Sequence, residues 1–184
     1  MGSENGKLKP EVMKDLRSHT FLLEDEIQDW YKQFIKDHPT GYLKREQFEE
    51  LYSKNFPDGD ASKFASHVFR TFDKDDSGSI DFKEFVIGLS ITRRGTRKQK
   101  LKWAFNLYDS DKDGYITKQE MINIVKSIEK MTGESGDISK GKIKEVFSTL
   151  DADSDGRLTF DEFSSGAESF PKIVDMLGVD ENRN

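Results

Sequence analysis

The sequence predicts an all-α chain of four helix–loop–helix units in two pairs, with short strands only where the two loops of a pair meet. Three observations predict it. Three twelve-residue stretches, DKDDSGSIDFKE (Asp73 to Glu84), DSDKDGYITKQE (Asp109 to Glu120) and DADSDGRLTFDE (Asp151 to Glu162), repeat one pattern of acids, glycine and closing glutamate. Each is entered by an apolar pair at helical i, i+3 spacing: Phe69 and Phe72, Phe105 and Tyr108, Phe147 and Leu150. A fourth stretch, KDHPTGYLKREQ from Lys36 to Gln47, keeps the interval, since first positions fall at 36, 73, 109 and 151, separated by 37, 36 and 42.

The first unit has the stem pair Tyr31 and Phe34, and its loop keeps Gly41, Leu43 and Phe48 in frame. Its chemistry is missing. Position 1 is Lys36, position 3 His38, position 5 Thr40 and position 12 the neutral Gln47, while Pro39 fixes its own φ and restrains His38. This loop is expected to be structural, a partner for the second. In the second, third and fourth units Phe85, Met121 and Phe163 begin the exit helices, and Ile80, Ile116 and Leu158 at position 8 supply the pairing strands. Pairing divides the chain into lobes at 1–92 and 93–184. Between the loops of the two lobes runs RRGTRKQKLK, residues 93–102, with six cations in ten positions, read as a solvated linker entering a helix or as a contact for acidic lipid or a partner.

The three acidic loops fit the EF-hand template. Calcium is a hard cation that takes six to eight oxygens, and a twelve-residue loop supplies them when oxygen side chains recur at positions 1, 3 and 5. Those are Asp73, Asp75 and Ser77; Asp109, Asp111 and Asp113; and Asp151, Asp153 and Asp155. Position 6 must turn sharply, in a left-handed conformation cheap only for glycine, and Gly78, Gly114 and Gly156 stand there. Position 7 offers a main-chain carbonyl, from Ser79, Tyr115 or Arg157. Position 9 (Asp81, Thr117, Thr159) binds directly or through water, and position 12 (Glu84, Glu120, Glu162) closes the site with both oxygens. Three Ca²⁺ ions are expected, with Mg²⁺ as a competitor.

Composition excludes other classes. At 184 residues, 34% hydrophobic and 35% charged, the chain is expected to be a cytoplasmic protein, and its longest apolar run, Phe85 to Leu89, is far below the roughly 20 residues of a spanning helix. With no cysteine there is no disulfide or thiol nucleophile, and His19, His38 and His67, without metal-ligand spacing, are read as solvated or capping groups. A formal charge of −6 argues against nucleic acid as a partner. An enzyme is not expected, because every well-spaced carboxylate is already assigned to metal.

With WYKQFIKDHPTG at Trp30 to Gly41, Lys-Leu-x-Pro-Glu at Lys7 to Glu11, an amino-terminal MG and WAF-x-x-YD at Trp103 to Asp109, the chain resembles the neuronal calcium sensor family over essentially its whole length. Three complete loops look more like the frequenin and visinin-like members than recoverin. The chain departs from the family in His38 for the usual cysteine, Gly6 for the usual serine, and a shorter connection from Met131 to Lys140. The resemblance implies N-myristoylation of Gly2, though the motif wants Ser or Thr where Gly6 stands. A single acyl chain binds membranes marginally, K about 10⁴ M⁻¹, so Lys7 and Lys9 are expected to add a basic signal for peripheral attachment.

Trp30, Phe34, Phe48, Leu51, Tyr52, Phe56, Phe85 and Leu89 recur on the helices of the first two hands. By resemblance they imply an exposed groove for a target helix or the acyl chain, and Gly95 implies a swivel between lobes. The expected function is a calcium sensor regulating membrane-associated targets of kinase, cyclase, channel or receptor type. The alternatives are a calcium buffer and a regulatory subunit of the calcineurin B type.

Overall fold

The computed structural model describes residues 7–133 and 140–167. Its helices follow the apolar spacing. The first hand is α2 (Glu24–Asp37), β1 (Tyr42–Lys44) and α3 (Arg45–Asn55); the second is α4 (Ser62–Phe72), β2 (Ser79–Asp81) and α5 (Phe82–Arg94). The third is α6 (Arg97–Tyr108), β3 (Ile116–Thr117) and α7 (Lys118–Thr132); the fourth is α8 (Lys140–Leu150), β4 (Arg157–Leu158) and α9 (Phe160–Gly166). Ahead of them lies α1 (Pro10–His19), which the loop pattern does not announce. Its signals are local: Pro10 sits in the first turn, where its missing N–H costs nothing, and Met13 and Leu16 are buried at i, i+3 spacing.

The strands pair as the sequence predicts. Leu43 stands opposite Ile80 in an antiparallel β1–β2 ladder, and Ile116 opposite Leu158 in β3–β4. All four side chains are wholly buried, so each loop pair is pinned from beneath by two aliphatic groups. The stem residues Phe69, Phe105, Tyr108 and Phe147 are buried to the same degree. At about 1.5–3 kcal/mol for each large apolar side chain, this burial dominates the helical propensities.

The lobes pack on each other: α4 lies against α6 and α7, and α5 against α6. Phe72 meets Trp103 edge to face at 6.2 Å, and the Arg70 guanidinium donates to the Leu107 carbonyl at 3.2 Å. At the far side the Asp60 N–H donates to the Lys130 carbonyl at 2.8 Å, tying the turn after α3 to the end of α7. Helix α5 runs to Arg94, two residues past the 92/93 division, and ends at Gly95.

Candidate calcium centres and apolar groove

Each acidic loop brings three carboxylates to one point. Oxygens of Asp73, Asp75 and Glu84, of Asp109, Asp111 and Glu120, and of Asp151, Asp153 and Glu162 lie within 4.8 Å of one another. Repulsion at that spacing is held in check by main-chain N–H groups. The position-1 carboxylate accepts from positions 5 and 6 in every loop: Asp73 from Ser77 (2.9 Å) and Gly78 (3.0 Å), Asp109 from Asp113 (3.1 Å) and Gly114 (3.0 Å), Asp151 from Asp155 (3.1 Å) and Gly156 (3.1 Å). The position-12 glutamate reaches back across the loop, Glu84 Oε1 accepting from the Lys74 N–H (2.7 Å), Glu120 from Ser110 (2.7 Å) and Glu162 from Ala152 (3.0 Å). Main-chain N–H groups therefore hold the carboxylates of each loop around one point.

Position 9 has a second role that the ligand template hides. Asp81, Thr117 and Thr159 are the N-caps of α5, α7 and α9, each accepting from the N–H of its position-12 glutamate, which accepts in return from the cap's N–H. The signal was present, as Asp or Thr followed three residues later by Glu is a capping box. In the second loop the Ser77 hydroxyl at position 5 donates to the Ser79 carbonyl at 2.9 Å, so two of its oxygen donors are joined to each other.

Environment splits the carboxyls. Desolvation raises Glu84 and Asp109 above the ordinary carboxylate range, with neighbouring acids adding to it, Asp81 for Glu84 and Asp113 with Glu120 for Asp109. Asp75 is lowered by its hydrogen bonds from Ser77, and Glu162 by those from Thr159.

The first loop shares the frame without the charge. Gly41 holds φ +80°, beside +79°, +90° and +85° at Gly78, Gly114 and Gly156. Position 4 differs. Asp76, Lys112 and Ser154 all stand in the left-handed region, at φ 54°, 61° and 58°, whereas Pro39 occupies that place in the first loop and its ring forbids positive φ. Gln47 keeps the structural part of the glutamate's work, its Oε1 accepting from the Lys44 N–H at 3.0 Å.

Of the histidines read as solvated or capping groups, His38 is the C-cap of α2, its N–H donating to the Phe34 carbonyl at 2.7 Å, whereas His67 corrects that reading. The His38 ring packs on Phe34 at 5.1 Å with Nδ1 buried, and His67 is half-buried in α4, where desolvation, with Arg70 and Lys63 nearby, pushes its pKa down to about 4. His19 remains exposed beside Asp15.

Seven of the eight groove residues fall into two groups. Trp30, Phe34, Phe85 and Leu89 line an open cavity of about 310 Å³ between α2 and α5. Phe48, Tyr52 and Phe56 form a stack, with ring centres 5.1 and 6.3 Å apart, that packs on Phe64, Phe69 and Phe72. Leu51 is exposed on α3, at 45%. Gly2 lies outside the described residues. Among those described, no helix is long and apolar enough to cross a membrane.

Two loop pairs with three assembled oxygen cages define a calcium-binding EF-hand protein. Residues 39–89 and 98–168 each match the family model of an EF-hand domain pair. The chain is 46% identical to human recoverin over 129 residues, and 43% identical to S-modulin of Aquarana catesbeiana over the same length, each match covering 70% of this chain and 64% of the relative. It is 44% identical over 135 residues to neuronal calcium sensor 1 of Lymnaea stagnalis, covering 73% of this chain and 71% of that protein. The chain belongs to the neuronal calcium sensor family.

Proposed function

We propose that this protein is a calcium sensor: it binds three Ca²⁺ ions, at the loops beginning at Asp73, Asp109 and Asp151, and in response offers an apolar groove on its first lobe to a helix of a membrane-associated target. The observation that carries this reading is the coexistence, in one frame, of three assembled carboxylate cages and an aromatic-walled cavity between α2 and α5. A buffer needs only the first. In sensor hands, filling a loop moves its exit helix against its entry helix and widens the apolar surface between hands. Here α5, which carries Phe85 and Leu89, is the exit helix of the second loop and starts from Asp81 and Glu84, so ligation at Glu84 acts directly on one wall of the groove.

Membrane attachment belongs to the same proposal, through an acyl group on Gly2 supported by Lys7 and Lys9. The test is binding to a hydrophobic resin with and without calcium, beside calorimetric titration. A sensor is retained only with calcium and takes up three ions. Three ions with no calcium-dependent retention would identify a buffer.

A further inference from the structure

The cavity between α2 and α5 is not apolar throughout. Its floor is Trp30, Phe34, Phe85 and Leu89, but its α2 edge carries Asp29, Gln33 and Asp37. These recur at four-residue intervals, so they form one stripe along the helix. The opposite edge is Arg93 of α5, whose guanidinium sits 5.4 Å from the centre of the Trp30 ring. The partners of the two acids leave most of their charge available. Asp29 meets Lys32 at 3.0 Å in an exposed pair of the kind that contributes little, and Asp37 accepts from the neutral Gln33 amide at 2.8 Å.

An indole face with carboxylates beside it attracts a cation. The molecule already supplies one of its own, Arg93. The void, about 310 Å³, stands at the small end of ligand pockets, roughly 300–1,000 Å³, and suits one large anchoring side chain from a helix laid along the trough. An acyl chain in the same trough would leave the acidic stripe unused.

We infer that the groove selects a cationic amphipathic helix, whose apolar anchor fills the cavity while a Lys or Arg one turn away takes the place of Arg93 over Trp30, beside Asp29, with Asp37 extending the acidic edge about two turns further along α2. This rests on the groove being the target site, as proposed above. Arg93 is then a placeholder that an incoming cation displaces, and Asp29 and Asp37 set specificity by charge rather than by shape.

The experiment uses the full chain with saturating calcium and three labelled amphipathic peptides, identical except for Arg, Gln or Glu four residues after a tryptophan anchor. Fluorescence anisotropy should rank them Arg, Gln, Glu, with about tenfold between the ends. Asp29→Lys with Asp37→Lys should reverse the order, since both positions are exposed and the fold does not depend on them. Arg93→Gln should tighten the Arg peptide about threefold by freeing the indole face. Equal affinities in the parent chain, or the same order in the charge-reversed variant, would overturn cation selection and leave an unselective apolar groove. Trp30→Ala should weaken all three peptides. Undiminished binding there, or no binding of any peptide to the parent chain, would overturn the groove reading itself and this inference with it.

Discussion

Pro39 bars the first loop from the backbone geometry that the other three share. The other loops need positive φ at position 4, which Asp76, Lys112 and Ser154 adopt and a proline ring cannot. Lys36, His38, Gln47 and the fixed φ of Pro39 were legible in the sequence, but not that position 4 takes a positive φ in the other loops, because that residue sits two places before the glycine where a left-handed turn is expected. Gln47 also shows what a neutral side chain does at position 12: it retains the bond from the Lys44 N–H and begins α3 normally. Replacing Glu84, Glu120 or Glu162 by Gln should therefore each remove one ion from a total of three by calorimetry while helicity stays constant, since only the bidentate closure is lost. A fourth ion in the parent chain, or an unchanged count in any variant, would contradict the assignment. His67 supplies a second test. Its pKa is about 4 in the fold against about 6.5 unfolded, so the unfolded chain binds the extra proton between those values, and the stability that neutral His67 allows is lost as pH falls from 6.5 toward 4. With calcium chelated, His67→Gln should flatten the decline of stability measured by urea unfolding over that window, and an unaltered slope would show that His67 titrates normally.

At the scale of elements, the hands and their strands were legible because their signals are local and periodic. The Leu43–Ile80 and Ile116–Leu158 partners follow from position 8 alone. Helix α1 was not, since ten residues carrying two buried side chains make a weak pattern outside the repeat. The contacts between lobes were illegible for a different reason: they join residues with no common spacing. Asp76 and Lys112, both at position 4, form an ion pair at 2.5 Å between the second and third loops, and Asp60 docks on the end of α7. Gly59 permits that docking. A Cβ there would lie 2.1 Å from the Met131 carbonyl oxygen and 2.4 Å from that of Lys130, both backbone atoms that move only if the turn withdraws. Gly59→Ala should cost roughly 1–3 kcal/mol, as overpacking does, and lower the urea midpoint without changing the slope. An unchanged midpoint would mean that the turn is not held against α7.

For the whole molecule, the proposed sensor changes both charge and shape with calcium, and membrane attachment tests the two together. The ligand template assigns twelve carboxylates to the three loops, Asp73, Asp75, Asp81 and Glu84, then Asp109, Asp111, Asp113 and Glu120, then Asp151, Asp153, Asp155 and Glu162. Three Ca²⁺ ions add +6 to a formal −6, so the filled chain is about neutral and its repulsion from anionic lipid falls. If Gly2 carries a myristoyl group, the aromatic groove is a shelter for it in the calcium-free state, and a rotation near Gly95 on filling the second and third loops would release it beside Lys7 and Lys9. The energies suffice. Moving such an equilibrium from 1:99 to 99:1 needs about 5.5 kcal/mol, and two sites that each prefer the open state by about 100-fold supply about 5.4 kcal/mol. The same transition frees the groove, so lipid and target binding would be coupled through it. The measurement is sedimentation with anionic liposomes of chain co-expressed with a myristoyltransferase, with and without calcium, beside Gly2→Ala. The switch predicts pelleting of the acylated chain only with calcium, and little pelleting of Gly2→Ala in either state, because one acyl chain and two lysines act as paired signals. Equal pelleting with and without calcium would leave the acyl group as a constant anchor and end the switch, and unchanged pelleting of Gly2→Ala would end both.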